Sequence, residues 1–452
     1  MAYVYENRSE RCINNNHKVN LPSLRRVLVN RNYAKLWYGQ AVSAIGDTVF
    51  GTTLVLWVSQ VLARGSPWAP AAVGGILVAA GTAVVLVGPV AGVFVDRWNR
   101  KSTMMRTEVI RAAMAAGLTG LSFVPVRDLP VGLWLAAVYL VVFVLNAAGQ
   151  FFSPARFATT ADVVQGEQDR ARAVGLAEAT TSAAGIIGPP IAALLLFTVG
   201  FRWALAANAA SYAVSYLAIR FLRLAPEPHP PAPAGPDQTS LHAEFSFGLR
   251  LFARNRFLVT LLTVTMICQC GTGAISALNV FFVTRDLHAS SRLFGIAETA
   301  MGIGFIAGAL AAGRMVRWIG ARTLTWSGLL ATGVLAAGYA LQRSFPAGLV
   351  MLAIYAVPIA MLNTAVAPLL LDAAPREYLG RVMAVFTPVN QLASMVAVVI
   401  SGWLTSTVLR GFRASFAGVT VNSVSLIFIV AGGLIFVSGL RAFAALPGTD
   451  VS

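Results

Sequence analysis

Charge is scarce in this sequence. Lys, Arg, Asp and Glu make up only 12% of its 452 residues, against 57% hydrophobic ones. That is too little charge to cover a globule in water and too much apolar material for one aqueous core, so a soluble enzyme is excluded. Cysteine and histidine are scarce as well. Cys12, Cys268 and Cys270 cannot build a disulfide framework, and His17, His229, His242 and His288 all fall in arms or loops. Neither a zinc site nor histidine-based metal transport is expected. The sequence has no glycine-rich Walker motif to hold nucleotide phosphates, so no cofactor is expected. The basic N-terminal stretch is not followed by a short apolar segment with a small-residue cleavage site, and no cleavable signal peptide is expected.

What the sequence has is long apolar runs. Membrane β-strands read as about ten alternating residues, whereas these runs are continuous and read as helices. Between charged or turn-rich breaks they predict helices over 36–62, 70–95, 103–124, 131–153, 174–199, 203–221, 257–284, 293–315, 323–342, 347–371, 382–405 and 416–440. The expected fold class is an all-α polytopic membrane protein of twelve transmembrane helices. Only Gly200-Phe201-Arg202 parts the fifth from the sixth, which demands a tight turn. Lys and Arg collect on the cytoplasmic side of a membrane. With the N-terminus inside, 25 of the 34 fall in inner segments and eight in outer ones, Arg127 and Arg343 among them, and Arg111 lies within a span. Both termini are therefore expected in the cytoplasm, with the chain in a bacterial inner membrane. Basic loops facing anionic lipids account for the net charge of +16 without a nucleic acid partner.

The longest connection contains Pro226-Glu227-Pro228-His229-Pro230-Pro231-Ala232-Pro233, which cannot sustain a helix. After it, the amphipathic stretch 241–252 is suited to the membrane surface. The chain thus divides into a cytoplasmic arm (1–35), a six-helix bundle (36–222), a cytoplasmic linker (223–256), a second six-helix bundle (257–440) and a cytoplasmic tail (441–452). Two internal echoes support the division. The loop Gly92 to Lys101 recurs in degraded form at Gly313 to Arg322, and Asp162 to Glu167 recurs at Asp372 to Glu377. Echoes at equivalent loops imply two parallel repeats around a central cavity.

Ionisable residues inside a membrane are costly and mark functional positions. Asp47 lies 12 residues beyond Lys35, about 18 Å along helix one. It reads either as a group that takes up and releases a proton or as a hydrogen-bond acceptor packed near Ser43 and Gly46. Glu178 and Glu298 each stand six residues beyond an arginine, Arg172 and Arg292, and are further candidates for proton coupling or cation binding. Glu108 and Arg111, three apart on one helix face, are expected to neutralise each other as a local ion pair. In helix five, Gly185, Gly188, Pro189 and Pro190 predict a bend and close packing. Gly88 and Gly92 allow a neighbouring helix to approach, and Asp96 with Arg97, Arg100 and Lys101 reads either as a conformational latch or as basic residues that merely set topology. Interior-capable amides (Gln40, Asn146, Gln150, Asn208, Gln269, Asn279, Asn363, Asn390 and Gln391) are scattered among aromatics and methionines, a pattern that suits bulky amphiphiles better than sugars.

The loop with Gly92, Asp96, Arg97, Arg100 and Lys101 resembles the signature cytoplasmic loop of the major facilitator superfamily, with Asn99 where glycine is usual. The opening Asn30 to Gln40, followed by Ser43, Gly46 and Asp47, resembles the drug/proton antiporter branch that contains macrolide-efflux proteins and the enterobactin exporter. Gly185 through Pro190 is similar to the glycine-proline motif of antiporters, although Pro190 and Ala192-Ala193 depart from its tail. The second loop departs further, with Arg317 where the first has Asp96. The resemblance implies alternating access driven by the proton gradient. The expected function is proton-coupled efflux of bulky hydrophobic or cationic compounds, multidrug or macrolide-like. A dedicated exporter of a siderophore or lipid-like metabolite is the alternative, and a non-transporting sensor or scaffold a third reading. Small-molecule substrate, protons and anionic lipids are the expected partners of a monomer.

Overall fold

In this computed structural model, residues 29–95, 98–223, 255–373, 379–416 and 419–445 are described. They form eleven helices and one hairpin: α1 (Arg31–Trp57), α2 (Ala69–Val95), α3 (Arg100–Leu121), α4 (Val131–Val163), α5 (Glu167–Thr198), α6 (Phe201–Arg220), α7 (Arg256–Phe281), α8 (Phe294–Ala340), α9 (Phe345–Ala373), α10 (Leu379–Ser406), β1 (Arg413–Phe416), β2 (Val419–Asn422) and α11 (Ser423–Ala445). Nine helical stretches among the described residues are long and apolar enough to cross a membrane. The protein is a multi-pass membrane protein. The remaining two helices have sequence reasons to fall short in apolarity: α3 carries Arg100, Lys101, Arg106, Glu108 and Arg111, and α6 carries Arg202, Asn208 and Arg220.

Helix α8 is 47 residues long and takes in both of the helices predicted over 293–342, but Gly320 inside it adopts φ 79° and ψ 154° and turns the chain there. A residue with a Cβ is strained at that φ, so a glycine stands there. Gly320 is the counterpart of Asn99 in the internal echo, and Asn99 also lies at a turn, its Oδ1 accepting from Ser102 N at 2.9 Å to cap α3. The tight turn before α6 is likewise made by a positive-φ glycine, Gly200 at φ 97°.

Several elements differ from expectation, α5 among them, which begins at Glu167 and not at 174. Helix α4 runs ten residues past its apolar stretch, to Val163, and carries Arg156, which the sequence had assigned to a loop. The last helix begins at Ser423, not 416, because Val419-Thr-Val-Asn422 is a β-branched run that pairs with β1, Arg413 opposite Asn422 and Phe416 opposite Val419. Asn422 then caps α11, its Oδ1 accepting from Val424 N and Ser425 N, each at 3.0 Å. This hairpin is the exception to an otherwise all-helical fold. Helices α1 and α7 both end in a single π-turn, at Val58–Leu62 and Phe282–Asp286. The linker's proline run and the stretch 241–252 lie outside the described residues.

Within the first six helices, α1 packs on α5 and α6, α2 on α4, and α3 on α4 and α6; in the remainder, α8 packs on α9 and α11, and α7 on α10 and α11. Glycine makes the tightest of these contacts. A Cβ on Gly304 or Gly308 would stand 2.0 Å from Ala353 O or 2.3 Å from Val357 O, so these two glycines, four apart, let α8 and α9 touch backbone to backbone. The two sets of helices meet where α5 crosses α8 and α2 crosses α10. A Cβ on Gly295 would lie 2.5 Å from Pro189 O, and one on Gly402 would lie 3.1 Å from Ala71 Cα. Both contacts lie in the half of the bundle away from Arg31.

Candidate functional site

A cavity of about 360 Å³ opens among α1, α3, α4 and α5, lined by Asp47, Arg111, Arg156 and Glu178 together with Trp37, Phe152 and Phe157. The Asp47 side chain is open to it, and Oδ1 accepts a short hydrogen bond from the Tyr212 hydroxyl of α6. Glu178 is also exposed to this cavity, so the structure brings these two predicted residues to one space. It places the third elsewhere. Glu298 lies on α8 and lines a separate cavity of about 390 Å³ that also reaches Gly51 and Thr52 of α1. Its Oε1 accepts from Asn279 Nδ2 at 2.9 Å, and Asn279 Oδ1 accepts from the Tyr339 hydroxyl at 2.8 Å.

Glu108 and Arg111 do not form the expected local ion pair. Glu108 is fully buried and turned to α6, where Ser215 Oγ donates to its Oε1 at 2.8 Å and is itself approached by Gln40 Nε2 at 2.9 Å. Arg111 reaches toward α4 instead. Its Nε donates to Leu145 O at 3.3 Å, and its guanidinium lies 5.3 Å from the Phe152 ring centre and 5.5 Å from that of Tyr212. A Cβ on Gly149 would come within 2.5 Å of Arg111 Nη2, so that glycine makes room for the guanidinium. Arg111 thus stands beside the ring whose hydroxyl meets Asp47, one turn along α3 from Glu108. The three ionisable groups are neutral overall with one proton aboard and carry one negative charge without it. Glu108 Oε2 is buried without a hydrogen-bond partner, a costly situation for a carboxylate oxygen.

Sequence reasoning missed Tyr212, Ser215 and Arg156 as parts of this site. Tyrosine and serine are ordinary in a membrane helix, and only the packing of α6 on α1 and α3 reveals their role. Glu108 was recognised, but not the Ser215 hydroxyl that donates to it, because helical spacing says which face a side chain shares and not what the neighbouring helix offers.

The helix-five residues act at contacts between helices. A Cβ on Gly188 would stand 2.6 Å from Thr48 Cβ, so it admits α1 closely. Pro190 has no N–H to donate to Ile186 O, and Thr299 Oγ1 of α8 lies 2.8 Å from that carbonyl in donating position. A Cβ on Gly185 would meet nothing within 4 Å. At the signature loop, Arg100 Nη1 pairs with Asp162 Oδ2 at 2.5 Å, and Lys101 Nζ donates to Arg220 O at 2.9 Å and Leu222 O at 2.7 Å, capping the end of α6. Asp96 and Arg97 lie outside the described residues, as does the surrounding of Gly92. Among the described residues no group of three or more His, Cys, Asp or Glu could hold a metal ion.

Comparison with known proteins agrees with this architecture. The macrolide efflux protein A of Streptococcus pyogenes is 24% identical over 372 residues, 81% of this chain and 87% of that protein. The enterobactin exporter EntS of Citrobacter koseri is 25% identical over 384 residues, 81% of this chain and 83% of that one. The crystal structure of the nucleoside transporter NupG superposes with a TM-score of 0.68 at 15% identity, covering 93% of this chain and all of that one, a likeness of fold. Residues 36–283 and 261–450 each match one transporter family. The chain is a secondary-active transporter of small molecules, not an enzyme, and belongs to the Major Facilitator Superfamily.

Proposed function

We propose that this transporter exports bulky hydrophobic or cationic compounds in exchange for protons, with Asp47 and Glu108 sharing the charge of Arg111 as the coupling site. The observation that carries the reading is that the Tyr212 hydroxyl meets Asp47 while the Arg111 guanidinium stands 5.5 Å from the same ring, with Glu108 buried one turn away on α3. Uptake of one proton or one cationic substrate neutralises the cluster, so the two compete for the same charge vacancy, as an antiporter requires. Glu178, at the cavity mouth, attracts cations, and Glu298 serves a second step on the far side. Both relatives above are named for export, which supports the direction.

Counting the two stretches of α8 separately gives twelve spans, arranged as two six-helix repeats at 36–222 and 257–440 with both termini cytoplasmic. The parallel packing of the two sets, the π-turns ending α1 and α7, and the two family matches along the chain support that count. The cavity beside Asp47 then opens inward, and the α5–α8 and α2–α10 crossings close the outer side. The loop from Gly92 to Lys101 acts as a latch for this state, and an Asp96→Ala protein should insert normally yet exchange more slowly between states. Likeness to the enterobactin exporter favours a dedicated metabolite as the second reading of the cargo.

Proteoliposomes with an imposed pH gradient test the coupling. The wild-type protein should accumulate tetraphenylphosphonium against its gradient, Asp47→Asn and Glu108→Gln should lose most of the gradient-driven part, and Glu178→Gln and Glu298→Gln should lose less. Uptake by the wild-type protein that ignores the pH gradient would reject proton antiport.

A further inference from the structure

A second cavity, of about 460 Å³, is formed by α7, the part of α8 after Gly320, α9 and α10. With α8 counted as two helices, these are the first, third, fourth and fifth of the second set, the same positions whose counterparts α1, α3, α4 and α5 enclose the cavity at Asp47. The two cavities are therefore equivalent in place and opposite in chemistry. Every described residue lining the second one is uncharged: the carboxamides of Gln269, Asn363, Asn390 and Gln391, the hydroxyls of Thr265, Thr325 and Thr387, and an apolar remainder that includes Leu329, Met383 and Phe386.

Asn390 is only 6% exposed, and its Nδ2 donates to Phe386 O of its own helix at 2.9 Å, which fixes the amide. Its Oδ1 is buried with no donor to meet it. An unpaired buried acceptor at a cavity wall costs free energy that an incoming N–H or O–H recovers. Asn363 is exposed to the same space, and with Gln269 it also lines the cavity of Glu298, so the amides continue from one chamber into the next.

We infer that this cavity is a cargo subsite for a neutral, largely apolar molecular body bearing hydroxyl or amide N–H donors, read by Asn390 and Asn363. The inference rests on the export reading above and divides its labour. The charged cavity takes a proton or a cationic group, and the amide cavity takes the neutral hydrogen-bonding part of the cargo. A compound with both features spans the two, whereas a bare lipophilic cation uses only the first.

Equilibrium binding to the full chain in lipid nanodiscs tests this with two matched probe pairs. Hydrocortisone carries hydroxyl donors that progesterone, with the same ring skeleton, lacks; cyclo(Phe-Phe) carries amide donors that its N,N′-dimethyl derivative lacks. At least one donor-bearing probe should bind the wild-type protein about tenfold tighter than its partner. Asn390→Leu and Asn363→Leu should each remove most of that preference while leaving tetraphenylphosphonium binding within twofold, which also reports that the variants are folded. Equal binding within both pairs, no binding of either donor-bearing probe, or a preference untouched by both substitutions would overturn the subsite. The export reading fails separately, by proton-independent tetraphenylphosphonium uptake. Loss of coupling with the donor preference intact would leave the subsite standing, and the reverse would leave only the coupling.

Discussion

The crossing of α5 and α8 offers a perturbation whose size can be worked from geometry. A methyl group at residue 295 would lie 2.5 Å from Pro189 O and 3.0 Å from Pro190 Cα. Both neighbours are backbone, so no rotamer relieves the overlap, and the nearest comfortable carbon–oxygen approach is about 3.3 Å. Helix α8 must retreat by most of an ångström. The hydrogen bond from Thr299 to Ile186 O, one turn further on at 2.8 Å, then breaks. That carbonyl has no replacement within α5, because residue 190 is proline and has no N–H to offer. Leaving it unpaired costs about 1–3 kcal/mol, felt only while the crossing is closed. Gly295→Ala should therefore shift the balance between closed and open crossings by roughly 5- to 150-fold. Folding should survive, since alanine favours helix over glycine by up to about 1 kcal/mol. Pulsed electron–electron distance measurements between spin labels at residues 127 and 343 should show a longer-distance population growing at the expense of the short one. Thr299→Val should shift it the same way without any steric clash. An unchanged distance distribution in both variants would refute the claim that this contact holds the outer side closed.

Other consequences can be checked more briefly. Arg111→Met should reduce gradient-driven tetraphenylphosphonium uptake by more than tenfold in a protein that elutes as a normal monodisperse species, because both carboxylates lose their shared cation. Asp286 is buried and held by Asn422 Nδ2 at 2.6 Å and Ser425 Oγ at 2.9 Å. Asn422→Ala removes both that donor and the α11 cap, costing about 2 kcal/mol or more, and should lower the melting temperature by several degrees. Asp162→Ala breaks an ion pair whose two side chains are 38% and 49% exposed, so the melting temperature should hardly move, the pair being worth under about 1 kcal/mol. Single cysteines at 127 and 343 should react with an impermeant reagent in intact cells while one at 230 does not; labelling at 230 would overturn the proposed orientation.

Most of the helical layout was legible in the sequence because lipid permits few ways to satisfy a backbone, and apolar length alone then marks a helix. The failures are local and physical. At the end of α4 the apolar signal stops near residue 153, yet the helix continues to Val163, since a helix facing a polar cavity needs no apolar residues there. Before α11 the run 416–422 is apolar enough to read as helix, but its β-branched residues find a strand partner and Asn422 stops the helix from extending back. In the candidate site, Asp47 was legible from depth alone. The cluster around it was not, because Tyr212, Ser215 and Glu108 meet through the packing of α1, α3 and α6, which no spacing within one helix records.

On the proposed mechanism, proton and cationic cargo compete for the charge shared by Asp47, Glu108 and Arg111. Proton release on cargo binding measures this directly, without vesicles or gradients: purified protein in weak buffer, mixed with tetraphenylphosphonium and followed by a pH-sensitive dye. Protons should be released in proportion to cargo bound by the wild-type protein, and Asp47→Asn and Glu108→Gln should bind with little or no release. Cargo binding by the wild-type protein with no proton released across the working pH range, or release undiminished in both variants, would contradict the mechanism.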